Sequence, residues 1–181
     1  VPQNHHLLIT HVHLAALSII NDAEKFETEL DIWDLYMKTM NKDGSLPFEA
    51  DRGAKALMYT GRTIMGLLKI AHMAEIQGVD LWSRKYKKDW QNLHHAINFF
   101  LDALSKNKII YKHAKINQSS GKTTNYKKQD FRWFPTEISF YTYYKKKFPN
   151  HPNIKKFENL TFDKKTCKVP KKQRMSYCKS K

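Results

Sequence analysis

Apolar residues recur at spacings of three and four along most of the chain, and that period predicts helices. Leu7, Leu8, Val12, Ala15, Ala16, Ile19 and Ile20 mark a first helix over residues 5–21. Asn21-Asp22 offers a break and a new N-cap. Phe26, Leu30, Trp33, Met37 and Met40 predict a second helix over 23–41. Asn41-Lys42-Asp43-Gly44 reads as a turn, and Pro47 argues against helix there. A third helix is expected over 51–77, stopped by Gly78. It contains Gly53, Gly61 and Gly66, which weaken it and suggest the close approach of a neighbour or a ligand. A fourth covers 83–105, with Trp90, Leu93, Ile97, Phe100, Leu101 and Leu104.

The pattern fails from 106 to 130, where Asn117–Asn125 reads as an exposed loop. A fifth helix is expected over 136–148, after Pro135, capped by Thr136 and ended by Phe148-Pro149-Asn150-His151-Pro152. Strand signals are nearly absent, so the chain is read as all-α, built of antiparallel helix pairs. The division expected is a helical domain over 1–157 and a Lys-rich, weakly periodic tail over 158–181.

Composition sharpens one point. The 181 residues suit one domain with a real core, and the formal net charge is +15. Residues 1–100 hold 11 Lys/Arg against 12 Asp/Glu, and residues 101–181 hold 21 against 5. The field of the second part attracts polyanions, whether nucleic acid, acidic polysaccharide or an anionic membrane surface. No run of 18 apolar residues occurs, so no helical membrane span is expected.

Four residues carry candidate chemistry. Asn4 and His5 stand together at the start of the first helix, and Arg52 and Tyr59 lie seven apart on the expected third. On a single helix that spacing puts both side chains on one face, about 10 Å apart along the axis. An amide and a guanidinium can hold and neutralise a carboxylate. An imidazole or a phenolate can take the neighbouring proton, and a phenol can return one to a departing oxygen. This is the kit for β-elimination from a uronic acid. The plainer reading is also open: Arg and Tyr recur at this spacing in ordinary helices, and an Asn before a helix is usually an N-cap.

The order Gly44-Ser45-Leu46-Pro47-Phe48-Glu49-Ala50-Asp51-Arg52, then Lys55-Ala56-Leu57-Met58-Tyr59, resembles the central signature of the α/α-toroid alginate lyases that cleave polymannuronate. The upstream Asn4-His5 pair and Gly78-Val79-Asp80-Leu81 belong to the same resemblance, which covers about residues 3–81. It implies part of an α/α toroid, an incomplete barrel, and cleavage of a polyuronate such as alginate by β-elimination. It also implies that Asn4 and Arg52 neutralise the carboxylate and that His5 and Tyr59 move protons. Lys55 and Arg62 stand where the family has an Arg and a further Tyr, and His6, Leu7 and Leu8 follow the Asn-His pair where the family places aromatics. Lys55, Arg62 and, from the weaker echo Phe131-Arg132-Trp133, Trp133 are the expected substrate-binding residues; the preferred uronic acid is left open. The family's toroid has helices upstream of this match, so the chain beginning at Val1 reads as lacking them. Such a half-toroid leaves an apolar flank open. A periplasmic or secreted setting follows by resemblance alone.

Other features compete. His5, His6, His11, His13, His94 and His95 invite a metal reading, but no Glu or Cys joins them at ligand spacing, and no metal or cofactor is expected. Gly121-Lys122-Thr123 lacks the glycine a phosphate loop needs at position 116, which is Ile. Lys145-Lys146-Lys147 reads as a solvated helix end, with a polyanion rail as the alternative. Cys167 and Cys178 are equally consistent with a bridge and with free thiols. The expected partner is therefore an acidic polysaccharide rather than nucleic acid. The alternative function is a non-catalytic helical module that binds a polyanion through its basic half.

Overall fold

A computed structural model describes the backbone of residues 4–116, 125–129 and 135–160, and the side chains of all these except 135–140. Among the described residues the regular structure is helical, as expected. The helices are α1 (Asn4–Ile20), α2 (Ala23–Glu29), α3 (Asp31–Thr39), α4 (Pro47–Ala50), α5 (Ala56–Ile76), α6 (Leu93–Ser105), α7 (Lys108–Ala114), α8 (Pro135–Lys147) and α9 (Pro152–Glu158), with a 3-10 turn over Gly53–Lys55.

Three helices form an inner row, with α5 between α1 and α8. Leu7 of α1 meets Gly66 of α5, the charge of Lys69 acts on His11, and Leu17 lies with Gln77 and Val79. The contacts advance together along both chains, so α1 and α5 run parallel. On the other side, the Tyr143 ring lies 4.9 Å from His72, and Lys147 pairs with Glu75, so α8 runs the same way. The outer helices run back. Trp33 of α3 stacks edge-on with Trp82, beyond the end of α5, while Tyr36 reaches Glu49, before its start. In α9, Asn153 donates to the His94 carbonyl and Lys156 to Asn98 and Asp102, so α6 and α9 are parallel neighbours. The Tyr141 ring lies flat on Phe157, 3.8 Å away, while Asn153 donates to the Tyr144 hydroxyl, so α8 and α9 are an antiparallel pair. Alternating inner and outer helices of this kind are an arc of an α/α toroid.

The sequence explains the crossing of α1 and α5. A Cβ at Gly66 would lie 2.8 Å from the Leu7 Cβ, so the missing side chain lets the two backbones close. Ile64, Leu67, Leu68, Ile70, Ala71 and Ala74 bury the rest of α5. Away from α5, Leu8, Ile9, Val12, Ile19 and Ile20 of α1 are exposed.

Five expectations need correction. The second helix breaks at Leu30, where the backbone bonds shorten to Leu30 N–H to Glu27 and Trp33 N–H to Leu30, seating Leu30 in the core. Pro47 opens a short helix instead of preventing one, because at the first helical position its missing N–H costs nothing. The third helix begins at Ala56, not 51, because Gly53 has φ of 58°, outside the right-handed helical region. The fourth begins at Leu93, after an irregular stretch that α3 fastens: the Arg84 guanidinium and the Tyr86 hydroxyl both donate to Asp34. Finally, two short helices lie where none was expected. In α7, Ile110 and Ala114 supply a buried face at helical spacing, and α9 opens with Pro152 at its first turn. Elsewhere Asp22 caps α2, and Gly78, with φ of 78°, closes α5; α8 opens at Pro135, so Thr136 is its second residue and not its cap. No helix among the described residues is long and apolar enough to cross a membrane. Trp133, Cys167, Cys178 and most of the tail lie outside the described residues.

Candidate active site

The N-terminal ends of the inner helices bring the candidate residues to one end of the molecule. Asn4 and His5 are the first two residues of α1, and Tyr59 is in the first turn of α5. Arg52 lies in the connection between α4 and the 3-10 turn. Because α1 and α5 run parallel with Leu7 against Gly66, the start of α1 lies beside the first two turns of α5. The backbone N–H groups of such helix ends favour an anion.

Arg52 and Tyr59 are not related as expected. They do not share a helical face about two turns apart. The turn at Gly53 folds Arg52 back, and its guanidinium carbon lies 4.6 Å from the centroid of the Tyr59 ring. This is cation–π geometry. The contact holds the phenol and the guanidinium side by side, so a carboxylate gripped by one places its neighbouring carbon near the other.

The surrounding loop is tied down at several points. Gln129 accepts a hydrogen bond from the Leu57 N–H at 3.1 Å and donates to the Gly53 carbonyl at 3.0 Å. It thereby satisfies an otherwise orphaned amide at the start of α5 and fixes the chain on both sides of Lys55. Upstream, Asp43 accepts from the Ser45 hydroxyl and pairs with His113 and Lys112, which outweigh its burial and hold its carboxyl well below the usual range. Gly44 has φ of 86° and its Cα faces the His95 carbonyl so closely that a Cβ would sit 2.5 Å away. These contacts fasten the turn from which α4 and Arg52 are carried.

Glu49 is the residue the sequence reading passed over. Its side chain is fully buried, yet it is ionisable. Oε1 accepts from the Asn4 backbone N–H at 2.9 Å and lies 3.5 Å from the Tyr36 hydroxyl. Among the described residues Oε2 has no hydrogen-bond partner. Burial pushes this carboxyl up to about 7, against the pull of Arg52, Thr63, the Asn4 amide and Tyr36. Burial and the Glu49 charge push the Tyr36 phenol up as well. The signal available in the sequence was the Glu of Leu-Pro-Phe-Glu, a carboxylate amid apolar neighbours.

The other candidates fall as follows. His5 is exposed on the first turn of α1. Lys55, at the cap of α5, and Arg62, three residues after Tyr59, are each partly exposed near the same end. The polyanion-rail reading loses two of its cations to internal pairs: Lys145 bonds Glu158 at 2.6 Å and Lys147 pairs with Glu75.

A family model described as alginate lyase matches residues 2–110. Among solved structures, the chain resembles alginate lyase A1-III from Sphingomonas species A1, with 24% identity and a TM-score of 0.68, covering 84% of this chain and 40% of that one. A tyrosine-to-phenylalanine variant of alginate lyase A1-III complexed with tetrasaccharide matches with 24% identity and a TM-score of 0.67, covering 84% of this chain and 41% of that one. A histidine-to-alanine variant, also complexed with tetrasaccharide, matches with 24% identity and a TM-score of 0.68 over 84% and 40% of the two chains. The chain thus spans about 40% of the length of the solved structures it matches. No curated protein matches it.

Proposed function

The chain belongs to the alginate lyase family, and from that membership we propose that it contributes the catalytic end of a polysaccharide lyase, one that cleaves a polyuronate such as alginate by β-elimination. The observation that carries the reading is the Arg52–Tyr59 contact at the helix end that also bears Asn4 and His5. The tetrasaccharide bound to the matched variants supports a sugar polymer as the ligand class. A periplasmic or secreted setting accords with such a substrate.

In this reading Arg52 and Asn4 grip the substrate carboxylate and spread the negative charge that develops when the C5 proton leaves. Tyr59 or His5 takes that proton. Tyr59, held beside Arg52, protonates the glycosidic oxygen as the C4–O bond breaks, leaving a double bond between C4 and C5. Lys55 and Arg62 line the approach for neighbouring carboxylates, and Trp133 is proposed as a stacking platform for a sugar ring. Elimination needs no redox partner, because the proton and the leaving group depart from adjacent carbons.

The test is the ultraviolet absorbance of the unsaturated uronate after mixing the protein with polymannuronate and polyguluronate. Growth of that band supports the reading. Binding without the band would identify a polyanion-binding module instead.

A further inference from the structure

Gln129 bonds on both sides of the turn that makes the Arg52–Tyr59 contact. Its Oε1 accepts from the Leu57 N–H at 3.1 Å, and its Nε2 donates to the Gly53 carbonyl at 3.0 Å. Gly53 follows Arg52 directly, and Leu57 stands two residues before Tyr59. The two bonds therefore bracket the segment that sets how the guanidinium meets the ring. That segment holds itself weakly. One backbone bond, from the Lys55 N–H to the Arg52 carbonyl at 3.1 Å, closes the 3-10 turn. Lys55, at the cap of α5, makes no cap bond, because an ammonium has no acceptor to offer the first helical amides. Gly53, with φ of 58°, is the residue type least committed to any one backbone conformation. Gln129 supplies the missing cap from 72 residues away.

The amide is itself held in one orientation. Nε2 also donates to the Tyr126 carbonyl at 2.6 Å, so both of its hydrogens are used. A flipped amide would set its oxygen against two carbonyls and its NH2 against an N–H. The loop that carries it is seated on α7. The Tyr111 hydroxyl donates to the Lys127 carbonyl at 2.9 Å, and the Tyr111 ring meets Tyr126 edge-on at 5.9 Å. The same helix, through Lys112 and His113, pairs with Asp43 in the turn before α4. Thus α7 braces the Arg52 connection from both ends.

Resting on the function proposed above, we propose that Gln129 is a positioning residue for the elimination: it fixes the Gly53 turn and so keeps the Arg52 guanidinium against the Tyr59 ring. It acts through these two groups and needs no contact with the sugar. Its loss leaves Arg52 and Tyr59 in place chemically and frees them geometrically. A misplacement of about 1 Å at such a pair costs up to about 10²-fold in rate.

The experiment compares the full chain with Gln129→Met, which is of similar length and makes none of the three bonds. The reporter is the side-chain resonance of Arg52, assigned by its absence in Arg52→Lys. The face of the Tyr59 ring shifts it, and Tyr59→Leu gives its position without the ring. In folded Gln129→Met the resonance should move toward that position, and formation of unsaturated uronate from polymannuronate should fall by roughly 10–100-fold. Gln129→Glu decides if the methionine variant does not fold. It has the same shape and still accepts from Leu57. At pH 8, well above the ordinary glutamate range, its carboxylate repels the two carbonyls, and the same two changes should follow. An unmoved resonance overturns the inference. A moved resonance with undiminished turnover overturns it too, because the contact would then not govern the chemistry. A parent chain that forms no unsaturated uronate overturns the lyase reading instead, and the resonance still decides whether Gln129 sets the contact.

Discussion

The Arg52 guanidinium lies against the face of the Tyr59 ring, 4.6 Å from its centroid, although the two residues belong to different elements. A left-handed glycine at 53 makes the contact possible by interrupting the helix between them. A continuous helix would have separated the side chains by nearly two turns. The turn instead places the cation beside the phenol, where one group can hold a carboxylate while the other moves a proton.

That arrangement separates the effects of two substitutions. Tyr59→Phe keeps the ring under Arg52 and removes only the hydroxyl. It should reduce formation of unsaturated uronate by roughly 10²–10⁴-fold, the range for loss of a general acid or base, with little change in tetrasaccharide affinity. Arg52→Lys keeps a charge but loses the planar face and the paired donors. It should reduce both affinity and turnover, the latter by about 10²-fold. Initial rates by absorbance and affinities by calorimetry check both. A Tyr59→Phe protein with the wild-type rate would remove Tyr59 from the mechanism.

His5→Ala distinguishes the two uronic acids. In mannuronate the C5 proton and the leaving oxygen lie on one side of the ring, so Tyr59 can serve both. In guluronate they lie on opposite sides and a separate base is required. Loss of the His5 imidazole should therefore depress guluronate cleavage more than mannuronate cleavage, measured as the ratio of initial rates on the two homopolymers. An unchanged ratio would give His5 a different task.

Gly66→Ala tests the packing that brings α1 to the site. The added Cβ would lie 2.8 Å from the Leu7 Cβ, on the backbone side of both helices, where neither can rotate away. Overpacking of this kind costs about 1–3 kcal/mol, offset by about 1 kcal/mol from better helix propensity. A net loss of about 1 kcal/mol is expected in chemical denaturation. Turnover should fall further than stability explains, because α1 carries Asn4 and His5. A variant as stable and active as the parent would show that this crossing does not set the site.

Much of this was legible in residue order, and the misses share a cause. The three-and-four spacing of Leu93, Ile97, Phe100 and Leu101 marks a face that is buried in the fold, whereas of the residues that marked the first helix Leu7 is buried but Leu8, Val12, Ile19 and Ile20 are exposed. The caps at Asp22 and Gly78 were equally plain, since each is a local effect. The early start assigned to α5 came from apolar period alone, which does not register the positive φ at Gly53. Residues 83–92 have helical spacing too, but Asp34, fifty residues away, holds Arg84 and Tyr86 in an irregular path. Gln129 and Glu49 were missed for the same reason. Their partners, Gly53, Leu57 and Asn4, are distant in sequence, and no local pattern joins them.

Glu49, fully buried, and His94, half-buried, should give stability opposite dependences on pH. The folded chain holds the Glu49 proton up to about pH 7, whereas an unfolded glutamate loses it near 4.5. Between those values the folded state binds more protons, so this contribution weakens as pH rises. His94 acts in the other direction. Burial, with the adjacent His151, lowers it from 6.5 to about 4, so in that window the unfolded state binds more protons. Its contribution is present above 6.5 and is lost as pH falls toward 4. The structural cause is the seat of its ring, stacked 4.4 Å from His151, with Nδ1 2.7 Å from the Tyr144 hydroxyl, in the joint between α6, α8 and α9. Each shift amounts to about 3 kcal/mol at most, so the two nearly cancel between pH 4.5 and 6.5. Single substitutions uncover them. Glu49→Gln should leave stability rising with pH up to about 6.5 and level above it. His94→Phe should leave stability falling from about pH 4.5 to 7. Urea denaturation at half-unit steps from pH 4 to 8 measures both limbs. Parallel pH profiles for the two variants would show that neither group titrates as its surroundings imply.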